Sequence, residues 1–257
     1  MIPRASPRRL MRPVTLLRIA IIFGILVVWE GLAVSGLLYR DVVPRLGVIA
    51  LALWSLLVTP ETYRHFAVTG YEIGAGLLLG GLSGLVAGLV LGANRLLGRA
   101  YESYLYYLGP TPKIIFLPVM IMWFGVGPGS KIAMAALSCF FPIALSTASG
   151  MRQIDKVLIR VGKSFRLNAW QMSTKIYLPA MRAPVVNGIR LGLGVALIGA
   201  LLAETRLSSQ GVGFLIINAY SVFDMPRMYA ILIVLFVFAI GANALISRLG
   251  RLSTTRS

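Results

Sequence analysis

Cysteine, histidine and acidic residues are scarce in this sequence. Among 257 residues there are one cysteine, one histidine and eight aspartates or glutamates. The single Cys139 excludes a disulfide within the chain. The single His65 has no histidine, cysteine or acidic cluster around it at ligand spacing, so the sequence predicts no metal site. We expect His65 to lie in a loop at the membrane interface.

Signatures of catalysis are missing as well. The sequence contains no His-Glu-x-x-His, no Gly-x-Ser-x-Gly and no pair of carboxylates on a shared helix face. The stretch GVGPGSKI at 125–132 resembles a phosphate-binding loop, but Ser130 separates the last glycine from Lys131, and no Ser or Thr follows that lysine. We interpret it as a turn between two spans, and we expect no catalytic residue and no bound cofactor on this chain.

Apolar residues dominate what is present. The chain is 58% hydrophobic and 13% charged, and its mean hydropathy is +0.83. This composition predicts an all-α integral membrane protein, because a membrane-spanning helix needs about 20 mostly apolar residues. A shorter run at 48–58 predicts an interfacial helix that ends at Thr59-Pro60. About six spans are predicted, at 16–36, 66–92, 104–124, 131–150, 184–203 and 228–246.

The net charge of +17 is distributed unevenly across this topology. With the N terminus inside, most Lys and Arg residues lie at the two termini and in the second and fourth loops. By the positive-inside rule, that side is cytoplasmic, so the charge needs no nucleic-acid partner. We therefore expect a cytoplasmic basic N terminus at 1–15, a transmembrane domain at 16–246 with a cytoplasmic loop at 151–183, and a cytoplasmic tail at 247–257.

The first span has a second interpretation. Ala33-Val34-Ser35 follows an Arg-rich start and an apolar run, as a signal-peptidase site would. The apolar run is long for a signal sequence, and we favour a retained anchor.

Glycine recurs at every fourth position of the second span, and the fifth span repeats this pattern. Such stripes let two helix backbones approach closely, either for tight packing alone or as an interface that slides when a passage opens. The predicted packing glycines are Gly76, Gly80, Gly84, Gly88, Gly92, Gly188 and Gly192.

The third span is interrupted by Gly109-Pro110-Thr111-Pro112-Lys113. Non-helical backbone at membrane depth is tolerated only against protein or a water-filled cavity, and Lys113 either faces such a cavity or reaches toward the surface. We interpret Glu30, Glu72 and Glu204 as buried or cavity-facing. The residues assigned to a translocation pathway are Lys113, Ser138, Ser146, Asn187 and Glu204.

The basic loop at 151–183 predicts two amphipathic helices joined at Arg166-Leu167. Asp155 is a plausible N-cap for the first helix, whose apolar stripe and basic face are separate. The second helix can begin at Asn168 and must stop before Pro179. Such helices either lie on anionic lipid or dock into a groove on a partner protein.

Three stretches, at 108–155, 175–204 and 208–226, resemble permease subunits of binding-protein-dependent ABC importers of the nitrate/sulfonate/taurine family. The likeness is strongest at Trp123-Phe124-Gly125, Phe141-Pro142 and Leu178-Pro179-Ala180, with Pro112 and Leu117-Pro118 in addition. It implies a type I importer permease in a bacterial inner membrane. It also implies a second permease copy as a homodimer, two cytoplasmic ATP-binding subunits that carry ATP and Mg, and an external solute-binding protein.

The same resemblance implies that the basic loop couples the permease to the ATPase. The coupling residues it assigns are Asp155, Lys156, Arg160, Val161, Gly162, Lys163, Phe165, Arg166, Leu167, Asn168, Trp170, Leu178, Pro179 and Ala180. The sequence departs from the family at the signature itself, where the usual Glu-Ala-Ala is Arg160-Val161-Gly162 and the usual glycine is Arg166. Either the ATPase compensates with an acidic groove, which we favour, or coupling is weakened.

The expected function is that of an importer subunit for a small organic or inorganic anion, such as a sulfonate, taurine or nitrate, or for a vitamin precursor. A gradient-driven carrier or channel is the alternative, and it would need a chain of ionisable residues where only isolated ones occur. A membrane scaffold would explain the basic loop but not the broken third span.

Overall fold

The computed structural model describes residues 11–37 and 42–252, with side chains from 13 to 248, and every regular element in these ranges is helical. A 3₁₀ turn at Lys113–Phe116 and a π-helical segment at Ser173–Tyr177 join some of the helices. The α-helices are α1 Met11–Ser35, α2 Leu46–Val58, α3 Pro60–Ala93, α4 Arg95–Leu108, α5 Leu117–Phe124, α6 Pro128–Arg152, α7 Lys156–Ser164, α8 Ala169–Met172, α9 Leu178–Ala180, α10 Arg182–Glu204, α11 Val212–Ser221 and α12 Met225–Leu252.

Within the described residues, five helices are long and apolar enough to cross a membrane: α1, α3, α6, α10 and α12. A sixth candidate is the pair formed by α4 and the segment Lys113–Phe124, which is bent by 94°. The all-α architecture with about six spans is confirmed. The predicted break of the third span at 109–113 is confirmed, because the chain turns sharply where Pro110 and Pro112 lack backbone donors. The predicted start at 104 is too late, since α4 already begins at Arg95.

The core consists of α3, α6 and α10 packed at very short range. A Cβ atom added to Gly80 would lie 2.2 Å from the carbonyl oxygen of Ala136, and one added to any of the other four predicted glycines of α3 would lie 2.5–2.7 Å from an atom of α6. On α10, Gly188 faces Ser146 and Gly192 faces Ile143. Side chains at these positions would push the helices apart, so the glycine stripes form the contact between the three helices.

The helix bundle has two ends. At the loop end, where α6 and α10 meet the segment 153–181, Met151, Ile154 and Met181 form a buried cluster. At the opposite end, here called the far end, Leu56 packs with apolar residues of α11 and α12. The first helix, α1, is almost entirely exposed.

Among the described residues, Trp29 and Glu30 join α1 to the rest of the chain. Trp29 donates a 3.0 Å hydrogen bond to the carbonyl of Pro44, and its ring lies edge-on to Tyr229 at 5.1 Å. Glu30 accepts a 2.9 Å bond from the backbone of Leu46, at the start of α2.

Other boundaries differ from the sequence prediction. The predicted second span starts at Pro60 rather than 66, because proline suits the first turn of a helix. His65 therefore lies buried in α3 and not in a loop. The predicted short helix at 48–58 is α2 and ends before Thr59-Pro60, while α12 continues past 246 to Leu252. Parts of the predicted termini, at 1–10 and 253–257, lie outside the described residues.

Candidate translocation groove and coupling loop

The break after α4 is held by specific contacts. Lys113 Nζ donates to the carbonyl of Gly109 and, at 3.4 Å, to that of Thr111. The same ammonium lies 5.0 Å from the centre of the Phe141 ring on α6. The last carbonyls of a helix have no partner within it, and a cation beside them is stabilised. The aromatic ring adds a favourable contact with the cation. Lys113 therefore turns inward to the break.

A cavity of about 340 Å³ lies between this break, α6 and α10. Its lining includes Lys113 and Thr111 from the break, Ser138 from α6, and Ile198 and Leu202 from α10. We call it the break cavity. Two of the predicted pathway residues, Lys113 and Ser138, meet here.

A second cavity of about 410 Å³ lies nearer the loop end. Tyr106, Ser146, Ser149, Gln153 and Asn187 are among its lining residues, so it is the more polar of the two. We call it the loop-end cavity. The predicted residues Ser146 and Asn187 meet in it.

The two cavities follow one another along the same faces of two helices. On α6, Ser138 and Ser149 are 11 positions apart, and on α10, Asn187 and Ile198 are also 11 apart. A spacing of 11 positions, about three turns, keeps side chains on one side of a helix. We call the two cavities together the groove.

Glu204, predicted with these residues, is not in the groove. It lies 1% exposed at the far end, among polar side chains that sequence reasoning did not connect. Its two carboxylate oxygens accept 2.6 Å bonds from Thr69 Oγ1 and the backbone of Gly213. Gly211 has a φ of +104°, and an added Cβ would lie 2.4 Å from the Glu204 carboxylate, so the chain can pass here only as glycine.

Four further polar residues surround Glu204, and we call the five together the far-end cluster: His65, Thr69, Glu72, Lys131 and Glu204, all buried. His65 Nδ1 accepts a 3.1 Å bond from the backbone of Gly211. Lys131 donates to the carbonyls of Val126 and, at 2.9 Å, Leu207. Glu72 lies beside Glu204, and its Oε2 has no hydrogen-bond partner among the described residues. The sequence signal for this cluster was the placement of polar residues at 65, 69 and 72, about one helical turn apart on α3.

The basic loop at the loop end is a packed unit. Asp155 caps α7 by accepting a 2.8 Å bond from the backbone of Val157. Asn168 and Gln171 form a reciprocal capping box at α8. The predicted stop before Pro179 is wrong, because the π-helical segment Ser173–Tyr177 leads directly into α9, which contains Pro179.

Gly162 lets the two halves of the loop meet. An added Cβ there would lie 2.4 Å from Met172 Sδ and 2.5 Å from Ile176 Cδ1. The cluster of Met151, Ile154 and Met181 then ties the loop to α6 and α10. Packed side chains therefore connect the loop to both helices.

Most of the predicted coupling residues are exposed on this unit. Phe165 and Trp170 are 77% and 76% exposed, and Val157 and Val161 are nearly half exposed. Gly162 is buried, and Leu167, Leu178 and Pro179 are half-buried. The exposed residues are Asp155, Lys156, Arg160, Val161, Lys163, Phe165, Arg166, Asn168, Trp170 and Ala180.

Arg166 adopts a left-handed backbone conformation, with a φ of +52°. Leu167 N donates to Gly162 O at 3.1 Å and Arg166 N to Lys163 O at 2.9 Å, the pair of bonds that defines a Schellman motif. Glycine is the usual residue at this position of the motif, and arginine is strained there by about 1 kcal/mol. The turn thus explains why the resemblance implies a glycine at Arg166.

The comparisons with known proteins agree with this geometry. The family described as "Binding-protein-dependent transport system inner membrane component" matches residues 80–256. This chain belongs to that family. It is the permease subunit of an ABC importer and a multi-pass protein of the inner membrane.

Curated relatives and a solved structure extend the comparison. The permease is 31% identical over 213 residues to a putative aliphatic sulfonates transport permease protein, SsuC, of Bacillus subtilis, covering 83% of this chain and 77% of that one. It is 28% identical over 191 residues to the taurine transport system permease protein TauC of Escherichia coli, covering 73% and 70%. The inward-facing MetNI methionine ABC transporter aligns with a TM-score of 0.62 over 81% of this chain and 97% of that chain, and at 18% identity this likeness shows the fold.

Proposed function

We propose that this permease forms the membrane passage of an ATP-driven importer and that the loop at 151–183 couples the passage to a cytoplasmic ATPase. The observation that carries the proposal is the pair Phe165 and Trp170, which are more than three-quarters exposed on a loop whose other side is packed onto α6 and α10. Large exposed aromatics on a rigid surface are typical of a docking site.

The assembly we infer contains two copies of this chain, two ATP-binding subunits that hold ATP and Mg, and an external solute-binding protein. The loop end and both termini then face the cytoplasm, in agreement with the positive-inside distribution of Lys and Arg. ATP binding would draw the two loops together and open the groove outward, and hydrolysis would reverse the movement.

The solute we propose is a small organic or inorganic anion or a vitamin precursor. Relatives named for aliphatic sulfonates and taurine support the anion. The groove supports passage of a small molecule, since its cavities of about 340 and 410 Å³ lie within the size range of small-ligand sites.

Affinity purification of the tagged full-length permease from its native membrane in a mild detergent tests the proposal. We expect an ATP-binding subunit to co-purify in equimolar amount and to hydrolyse ATP. Solute uptake into vesicles that contain this chain alone would contradict the proposal and favour a gradient-driven carrier.

A further inference from the structure

We propose that the break cavity binds the oxyanion group of a small solute, with Lys113 as the residue that selects negative charge. The inference rests on the proposed function, because it takes the groove as the passage. It goes beyond that function by deciding between an anionic and a neutral solute.

The charges around the groove favour an anion. Among the described residues that line the two cavities, Lys113 alone carries a charge, and no lining residue is acidic. Glu204 follows Leu202 of the break cavity by two positions, but its carboxylate is buried and accepts bonds from Thr69 and Gly213. Neither Glu204 nor Glu72 lines either cavity. A cation without a neighbouring carboxylate attracts anions and repels cations over several ångströms.

Lys113 is also held in place. Two of its donors are directed to the carbonyls of Gly109 and Thr111, and the Phe141 ring lies on one side of the ammonium. An ammonium has three donors, so one is available to a ligand. Thr111, in the same wall, adds a hydroxyl. Fixed donors of this kind bind oxyanions without reorganising, and they act more strongly in a partly desolvated cavity.

Charge-selective thiol modification tests this inference without knowledge of the solute. The one native cysteine, Cys139, is 0% exposed and should not react. Ile198→Cys places a sensor in the break cavity, where Ile198 is 55% exposed. The purified complex is treated with 2-sulfonatoethyl or 2-(trimethylammonio)ethyl methanethiosulfonate, and each rate is divided by the rate of the same reagent with 2-mercaptoethanol.

We expect the normalised anionic rate to exceed the cationic rate in the Ile198→Cys protein. The anionic-to-cationic ratio should fall about fivefold when Lys113→Gln is added and stay high with Lys113→Arg. Asn187→Cys is the matched control sensor, because Asn187 lines the other cavity and lies about 16 Å from Ile198 along α10, about twice the screening length of about 8 Å. At that position Lys113→Gln should change the ratio less than twofold.

An unchanged ratio in Lys113→Gln, a preference for the cationic reagent, or no reaction of the sensor would overturn the inference. If Lys113→Gln fails to fold, the Ile198→Cys protein is tested alone, and inorganic sulfate should slow its modification more than chloride of equal ionic strength. The assay needs neither ATP nor transport. If no ATPase co-purifies with the permease, the proposed function is contradicted. If the ATPase co-purifies and Lys113→Gln leaves the anionic-to-cationic rate ratio unchanged, only this inference is contradicted.

Discussion

Thr69 on α3 donates a 2.6 Å hydrogen bond to Glu204 at the end of α10, across 135 positions of sequence. The same hydroxyl accepts a 2.8 Å bond from the backbone of Val212, so one side chain joins α3, α10 and α11. Thr69 and Glu204 are each 1% exposed, so water has little access to either bond. The far ends of these helices are thereby fixed relative to each other.

Thr69→Val should destabilise the permease, because it leaves the Val212 amide and a Glu204 oxygen buried without this partner. Each unsatisfied buried group costs about 1–3 kcal/mol. We expect a lower midpoint of thermal unfolding in detergent.

Thr147→Val is the matched control for that substitution. Thr147 is 0% exposed, and its hydroxyl has no hydrogen-bond partner among the described residues. Replacing an unpaired buried hydroxyl by a methyl group should leave the unfolding midpoint unchanged or raise it. Equal losses in the two variants would show that the Thr69 bonds contribute nothing.

Gly80→Ala should destabilise the contact between α3 and α6. The new Cβ would lie 2.2 Å from a backbone oxygen that cannot move independently of its helix, and overpacking of this kind costs about 1–3 kcal/mol. Gly74→Ala, on the same helix with nothing within 4 Å, is the control and should be neutral or stabilising. Equal unfolding midpoints for Gly80→Ala and Gly74→Ala would contradict close packing of α3 against α6 at Gly80.

Arg166→Gly should stabilise the turn between α7 and α8. The substitution relieves a left-handed conformation that is unfavourable for arginine by about 1 kcal/mol. We expect hydrogen exchange of the Leu167 amide, which closes the turn, to slow by about fivefold in the purified permease.

Lys163→Gly provides the opposite case within the same loop. Lys163 is exposed in α7 and has ordinary helical geometry, so glycine there should loosen the helix by about 1 kcal/mol and speed the same exchange. Faster exchange in Arg166→Gly as well would mean that the strain at this position is absent.

Arg160→Glu tests how the unusual coupling signature is accommodated. Arg160 is exposed on α7, on the side of the loop that we assign to the ATPase. If the ATPase groove is acidic in compensation, the substitution opposes like charges and should cost about 2–5 kcal/mol of binding. Less ATPase should then co-purify, and an acid-to-arginine change in the groove should partly restore it. Tighter binding in Arg160→Glu would instead identify Arg160 as a weakening residue.

Local features of this fold were predictable from the sequence. The spans follow from hydropathy, and the N-caps at Asp155 and Asn168 follow from side chains that bond to backbone two or three positions away. The break at 109–113 follows from its prolines and glycine. The position of the bend was thus predictable, whereas its 94° angle and the contact of Lys113 with Phe141 were not.

Long-range polar contacts were not predictable in the same way. Glu204 was assigned to a pathway because an acidic residue at the end of a span is unusual. Its actual environment depends on Thr69 and Gly213, which only the folded chain brings to it. Arg166 is intermediate, since the departure from the family was visible in the sequence and its left-handed geometry was not.

Phe165→Ala combined with Trp170→Ala tests whether the loop docks onto the ATPase. Both side chains are exposed, so their removal should leave the unfolding midpoint of the permease unchanged. Phe236→Ala is the control, because Phe236 is 65% exposed on α12, outside the loop.

The measurement is the molar ratio of ATP-binding subunit to tagged permease after purification from native membranes. We predict at least about a tenfold loss in the double variant, as expected when two anchor residues are removed from an interface, and no loss in Phe236→Ala. A double variant that retains an equimolar ATPase would contradict the assignment of the loop as the coupling surface.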